Sequence, residues 1–205
     1  MGLPAIWFFF IEPAKSREAV KLRMREFVIS KAPPAPGALV LDAGTGRGLM
    51  AIGYAKAAQG VRVAAMDLFG KGFVLGNTPA HAMSNAEVEG VAERVQLLRG
   101  SVADIPFGDA AFDLVVSSLV IHNIFSAKKM GRAFEEMARM VKPGGRFVYV
   151  DFVVRSHQRR MIDGLGNLGL ACREQFETPT GVRGWVFEKE SDSPRSHGDT
   201  ENATG

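Results

Sequence analysis

Apolar and polar positions along this chain fall into two alternating rhythms. Short apolar runs of strand length occur at Leu39–Leu41, Val61–Met66, Arg94–Arg99, Leu114–Val116 and Arg146–Phe152. Between them lie stretches whose apolar residues recur at helical spacing. Ser16 to Lys31 is one, with Val20, Met24, Phe27 and Val28 on one face and Arg17, Glu18, Lys21 and Arg25 on the others. Leu49 to Ala58 is the next. Thr78-Pro79 opens a third, through about Glu89, with a capping residue before proline at the first helical position. Ser126 caps a fourth, whose face is Met130, Ala133, Phe134, Met137, Met140 and Val141. Lys142-Pro143-Gly144-Gly145 is expected to end that helix and turn into the fifth strand. His157 to Gly169 reads as a helix containing three glycines. Leu170–Thr178 and Val182–Lys189 read as a terminal hairpin around Pro179-Thr180-Gly181.

Helices alternating with strands imply a doubly wound, mostly parallel sheet covered on both faces. Right-handed crossovers then bring every loop that follows a strand to one edge. Three parts are expected: 1–35, an apolar segment and helix; 36–190, the α/β domain; and 191–205, a polar disordered tail. Pro33-Pro34-Ala35-Pro36-Gly37 is the stiff joint into the first strand.

Charge and composition narrow the class. Net charge is +3 and basic residues are scattered, so no nucleic-acid surface is expected. The single cysteine, Cys172, permits no internal disulfide, and a cytoplasmic setting is the simpler expectation. Its apolar neighbours Leu170 and Ala171 suggest a packing residue. Leu3 to Ile11 is apolar and aromatic but shorter than the ~20 residues that span a bilayer. Three roles suit it: a lid or edge packing element, a peripheral membrane contact, or the remnant of an anchor.

The chemistry-bearing stretch is Leu39-Val40-Leu41-Asp42-Ala43-Gly44-Thr45-Gly46-Arg47-Gly48. Glycine lets a chain reverse sharply and approach a ligand closely. The helix that follows points N–H groups and partial positive charge at the turn. Asp42 adds a carboxylate able to face an ammonium. Donors for a carboxylate beside an acceptor for an amine suit the amino-acid end of S-adenosylmethionine. Asp67, ending the second strand, can accept both hydroxyls of a ribose. Asp42, Gly44, Asp67, Ser101 and Ser117 are expected to converge on one edge.

This ordered set resembles the class I S-adenosylmethionine-dependent methyltransferases, closest to the small ubiquinone/menaquinone-biosynthesis type, over roughly Pro36 to Lys189. The resemblance implies a seven-stranded Rossmann-like sheet with its last strand antiparallel. It implies a cofactor, S-adenosyl-L-methionine, held by Asp42, Gly44, Thr45, Gly46, Asp67, Leu68, Ser101, Val102 and Ser117, with Leu68 on adenine and Gly100–Phe107 as the adenine loop. Ser101 stands where the family often has Asp; its hydroxyl or the Val102 amide could substitute. A small, lipophilic acceptor and no metal are expected. His122 and Asn123, just past the fourth strand, are the substrate-side candidates. His122 is the candidate base, with Asn123 or a backbone carbonyl fixing its tautomer; the alternative is that it only packs. Two other functions stay open: a non-catalytic accessory protein with a methyltransferase fold, and a nicotinamide oxidoreductase, which the absence of a Tyr-x-x-x-Lys pair disfavours.

Overall fold

A computed structural model describes residues 14–70, 77–153 and 155–191. The aromatic segment Leu3–Ile11, most of the loop before Thr78, and nearly all of the polar tail lie outside the described residues. The described elements, in order, are α1 (Ala14–Lys31), β1 (Leu39–Ala43), α2 (Leu49–Ala57), β2 (Arg62–Asp67), α3 (Pro79–Val88), β3 (Val95–Arg99) and β4 (Phe112–Ser118). They continue with α4 (Ala127–Met140), β5 (Val141–Asp151), α5 (Ser156–Asp163), β6 (Leu170–Glu177) and β7 (Arg183–Lys189). The seven strands form one sheet in the order β3-β2-β1-β4-β5-β7-β6. Pairings from β3 through β5 are parallel; β7 runs antiparallel between β5 and β6.

The apolar runs are continuous because the central strands are buried on both faces. Val40 points into a core with Met24, Val28, Ile52 and Tyr54 of α1 and α2; its neighbour Leu41 points into the other, with Met130, Phe134, Met137 and Trp185. The methionine face of α4 is therefore core. Ser126 Oγ accepts from the Lys129 amide at 3.3 Å, and Thr78 Oγ1 from the His81 amide at 3.2 Å, so both capping residues cap.

Four local expectations are corrected. Arg25 is buried, not on an outer face: its guanidinium pairs with Glu89 at 3.0 Å, and Gly53 lacks the Cβ that would lie 2.6 Å from Arg25 Cδ. Lys142–Gly145 lies inside β5. Val141 already pairs with Phe112, the ladder breaks, and it resumes at Leu114 and Arg146, with Gly144 at φ 73° absorbing the irregularity. The expected helix to Gly169 stops at Asp163 and tightens into a 3-10 segment, Gly164–Leu168, where glycine removes the preference for an α-helix. Cys172 is exposed: it lies on β6, the edge strand of the sheet, rather than in the core.

Candidate functional site

Parallel strands place the exits of β1, β2, β3, β4 and β5 on one edge. Between β1 and β4 the strand order reverses, which opens a crevice there. The glycine turn after β1 forms its floor. Gly44, Gly46 and Gly48 have φ of 91°, 56° and 88°, in the region where side chains are strained. The Gly44 and Thr45 amides donate to Met66 O at 2.8 and 3.0 Å, tying the turn to β2. A Cβ on Gly44 would sit 2.3 Å from Val120 Cγ2, so glycine is required for the loop after β4 to close on the turn. A Cβ on Gly46 would meet nothing within 4 Å: that side of the turn is open.

Asp42 is 1% exposed and faces into the turn. Its Oδ2 accepts from Thr45 Oγ1 at 2.7 Å and from the Ala51 amide at 2.9 Å, in the first turn of α2. It thus braces loop and helix from beneath. Burial pushes its carboxyl up to about 7, against the pull of those two hydrogen bonds; the Asp67 charge adds to the rise.

Asp67 is half-buried at the tip of β2. Oδ2 accepts from the Gly46 amide at 2.9 Å; Oδ1 accepts from the Phe69 amide at 2.9 Å and Asn77 Nδ2 at 3.0 Å. Leu68 beside it is 63% exposed, an unusual position for a large apolar side chain. The amide of Gly100 donates to Asp67 O at 3.0 Å, bringing the loop after β3 alongside. Ser101 Oγ accepts from the Ala103 amide at 3.2 Å, and Val102 is buried in the core. Ser117 is fully buried and donates to Ala43 O at 3.1 Å, pinning β4 to β1 beneath the crevice.

His122 and Asn123 lie in a 3-10 turn, Ile121–Asn123, after β4. Two non-glycine residues at crevice-facing strand exits carry positive φ, Phe69 at 46° and Leu119 at 59°. Such strain persists only where surrounding contacts enforce it. The His122 partner is neither Asn123 nor a backbone carbonyl. Nδ1 lies 2.5 Å from Asp151 Oδ1, at the end of β5, and the His122 amide donates to Asp151 Oδ2 at 3.0 Å. Arg155 braces the same turn, donating to Ile124 O at 2.6 Å and His122 O at 3.2 Å, with its guanidinium 4.8 Å from the Phe125 ring centre.

Asp151 and Arg155 were not among the sequence candidates. A signal for Asp151 existed: like Asp42 and Asp67, it is an acidic residue ending an apolar strand.

Residues 41–149 match the family described as methyltransferase domain, over more than half of the chain. The chain belongs to the class I S-adenosylmethionine-dependent methyltransferases. It is similar to a ubiquinone/menaquinone biosynthesis C-methyltransferase of Geotalea daltonii, 31% identical over 129 residues, 62% of this chain and 51% of that protein. A demethylmenaquinone methyltransferase of Renibacterium salmoninarum is 32% identical over 130 residues, 63% of this chain and 48% of that one. The chain spans about half the length of these curated relatives. Among solved structures, the fold matches a geranyl diphosphate methyltransferase in complex with S-adenosylmethionine at TM-score 0.69 and 13% identity, covering 85% of this chain and 88% of that one. It also matches the cyclase SpnF at TM-score 0.68 and 16% identity, over 83% and 82%. These two show the fold alone. Among the described residues, no helix is long and apolar enough to cross a membrane.

Proposed function

We propose that the methyltransferase crevice binds S-adenosylmethionine and passes its methyl group to a small, lipophilic ring acceptor. The observation that carries this reading is the hydrogen bond from the Gly46 amide to Asp67 Oδ2. It closes the tip of β2 on the glycine turn and sets a carboxylate beside backbone donors on one open edge. Asp67 would accept the ribose hydroxyls, exchanging its present backbone donors for the sugar. Leu68 would cover the adenine, with Ser101 and the Val102 amide at its rim. The Gly46 amide, released from Asp67, would meet the amino-acid carboxylate, while the Gly44 and Thr45 amides stay on Met66 O and hold the turn in shape. Asp42 and Ser117 would act from below, holding the turn and β4 in place.

The cofactor supplies an electrophilic methyl on a sulfonium sulfur. The chain's own tasks are then to align the acceptor, keep water out, and accept a proton where one is released. Phe152, whose ring lies 5.4 Å from that of His122, offers an aromatic wall beside the imidazole, and Phe125, 72% exposed, lies against Arg155, which braces the same turn. That wall suits a flat ring, and the relatives named for ubiquinone and menaquinone biosynthesis favour a hydroquinone-like acceptor.

The test is transfer of isotopically labelled methyl to a naphthohydroquinone with one free ring position. A product heavier by one labelled methyl is expected. Retention of the cofactor with no transfer to this probe would favour the accessory reading.

A further inference from the structure

Asp151 is fully buried, and three donors and one imidazole nitrogen converge on its two carboxylate oxygens. Oδ1 takes the Phe152 amide at 2.7 Å and faces His122 Nδ1 at 2.5 Å. Oδ2 takes the His122 amide at 3.0 Å and the Tyr149 hydroxyl at 3.2 Å. An ionised carboxylate only accepts, so it satisfies all four at once; an amide in its place would turn an NH2 group on two of them. Behind it stands a second tier. Gln158 Nε2 donates to Tyr149 Oη at 2.6 Å and to Phe152 O at 3.1 Å, and both Tyr149 and Gln158 are fully buried. With Gln158 donating to it, the Tyr149 hydroxyl is free to aim its own proton at Asp151. Donation therefore converges on Asp151 from two sides, from α5 through Tyr149 of β5 and from the turn that carries His122.

The geometry points to Asp151 as the positioning residue that holds His122 with its proton on Nδ1 and a lone pair on Nε2. The His122 side chain is 25% exposed while its partner is wholly enclosed, so the ring is held from inside and open outward. This inference rests on reading the crevice as a methyl-transfer site, and it deepens that reading by naming the acceptor class. The attacking atom is one that carries a proton: a hydroxyl oxygen, or a ring carbon beside one. As the new bond from that atom to the methyl carbon forms, the methyl–sulfur bond breaks and its electron pair stays on sulfur, leaving a neutral thioether. His122 Nε2 takes the proton from the attacking atom. The resulting imidazolium is stabilised by the adjacent Asp151 carboxylate and returns its proton to water afterwards. A carboxylate or thiolate acceptor would have no use for this arrangement.

The tautomer is read directly by 15N NMR of the histidine side chains in the full chain, with no cofactor added. The expected wild-type result, in alkaline solution, is His122 Nδ1 in the protonated range and Nε2 in the unprotonated range. In Asp151→Ala the two shifts converge as the tautomers mix. On the naphthohydroquinone probe, Asp151→Ala lowers kcat by about 10²–10⁴-fold, the usual worth of general-base help, while KM for S-adenosylmethionine stays nearly unchanged. A wild-type proton on Nε2 overturns the inference, and needs no variant to fold. Unchanged kcat in Asp151→Ala overturns it as well. The tautomer is measured without turnover, so failure of cofactor binding or of transfer is recognised separately.

Discussion

Single residues in this crevice do more structural work than their types suggest. Asp42 is the clearest case. Its carboxylate is enclosed and carries no cationic partner among its hydrogen bonds, only a hydroxyl and an amide. Burial raises its folded-state value from 3.8 to about 7. A carboxyl raised on folding contributes stability that is fully present below about 4 and is lost as pH climbs through about 7. Asn is the shape of the protonated acid. Asp42→Asn should therefore match wild type more closely at pH 5, and be the more stable of the two at pH 8 by roughly 1–3 kcal/mol. Urea denaturation at the two pH values measures this. A variant that loses stability relative to wild type on going to pH 8 would mean that the ionised carboxylate is needed in the fold.

At the scale of elements, the crevice is held from the side by α4. Glu136 is 1% exposed, and it receives Arg139 Nη2 at 2.6 Å, Arg132 at 2.9 Å and the Ile105 amide at 3.0 Å. Arg139 in turn donates to Phe107 O and Ile105 O at 2.9 and 3.1 Å. Helix α4 and the loop after β3 are one hydrogen-bonded unit. Glu136→Gln turns an acceptor oxygen into a donor facing donors, and should cost about 1–3 kcal/mol of stability, read by chemical denaturation. It should also loosen the loop and weaken cofactor affinity. Most elements were legible from periodicity, because a strand buried on both faces is an unbroken apolar run and a surface helix has one apolar stripe. The exceptions have local causes. Arg25 is a charged residue whose partner Glu89 is 64 positions away, and no window of helical length contains both. Lys142–Gly145 reads as a turn because proline and adjacent glycines usually make one; here they form an irregular strand entry.

On the scale of the whole molecule, the sheet order β3-β2-β1-β4-β5-β7-β6 makes the site. It brings β1 between β2 and β4, so that the glycine turn, Asp67 and the His122 turn share one edge. The glycine turn and Asp67 were legible because each ends its own strand in a recognisable way. The His122–Asp151 contact was not: the residues are 29 positions apart, and only the pairing of Ser118 with Val150 places their strand exits side by side. Ser117 illustrates the opposite failure. Its position at a strand end suggested the crevice, but pleating turns its hydroxyl down onto Ala43.

The central claim is that this edge is an S-adenosylmethionine site with Asp67 on the ribose. Isothermal titration of the wild-type chain and of Asp67→Ala with S-adenosylmethionine and with its demethylated product tests it most directly. Wild type is expected to bind both. Loss of ribose hydrogen bonds worth on the order of 1–3 kcal/mol should weaken the variant by roughly 5- to 150-fold. No binding by folded wild type, or equal affinity in Asp67→Ala, would contradict the account.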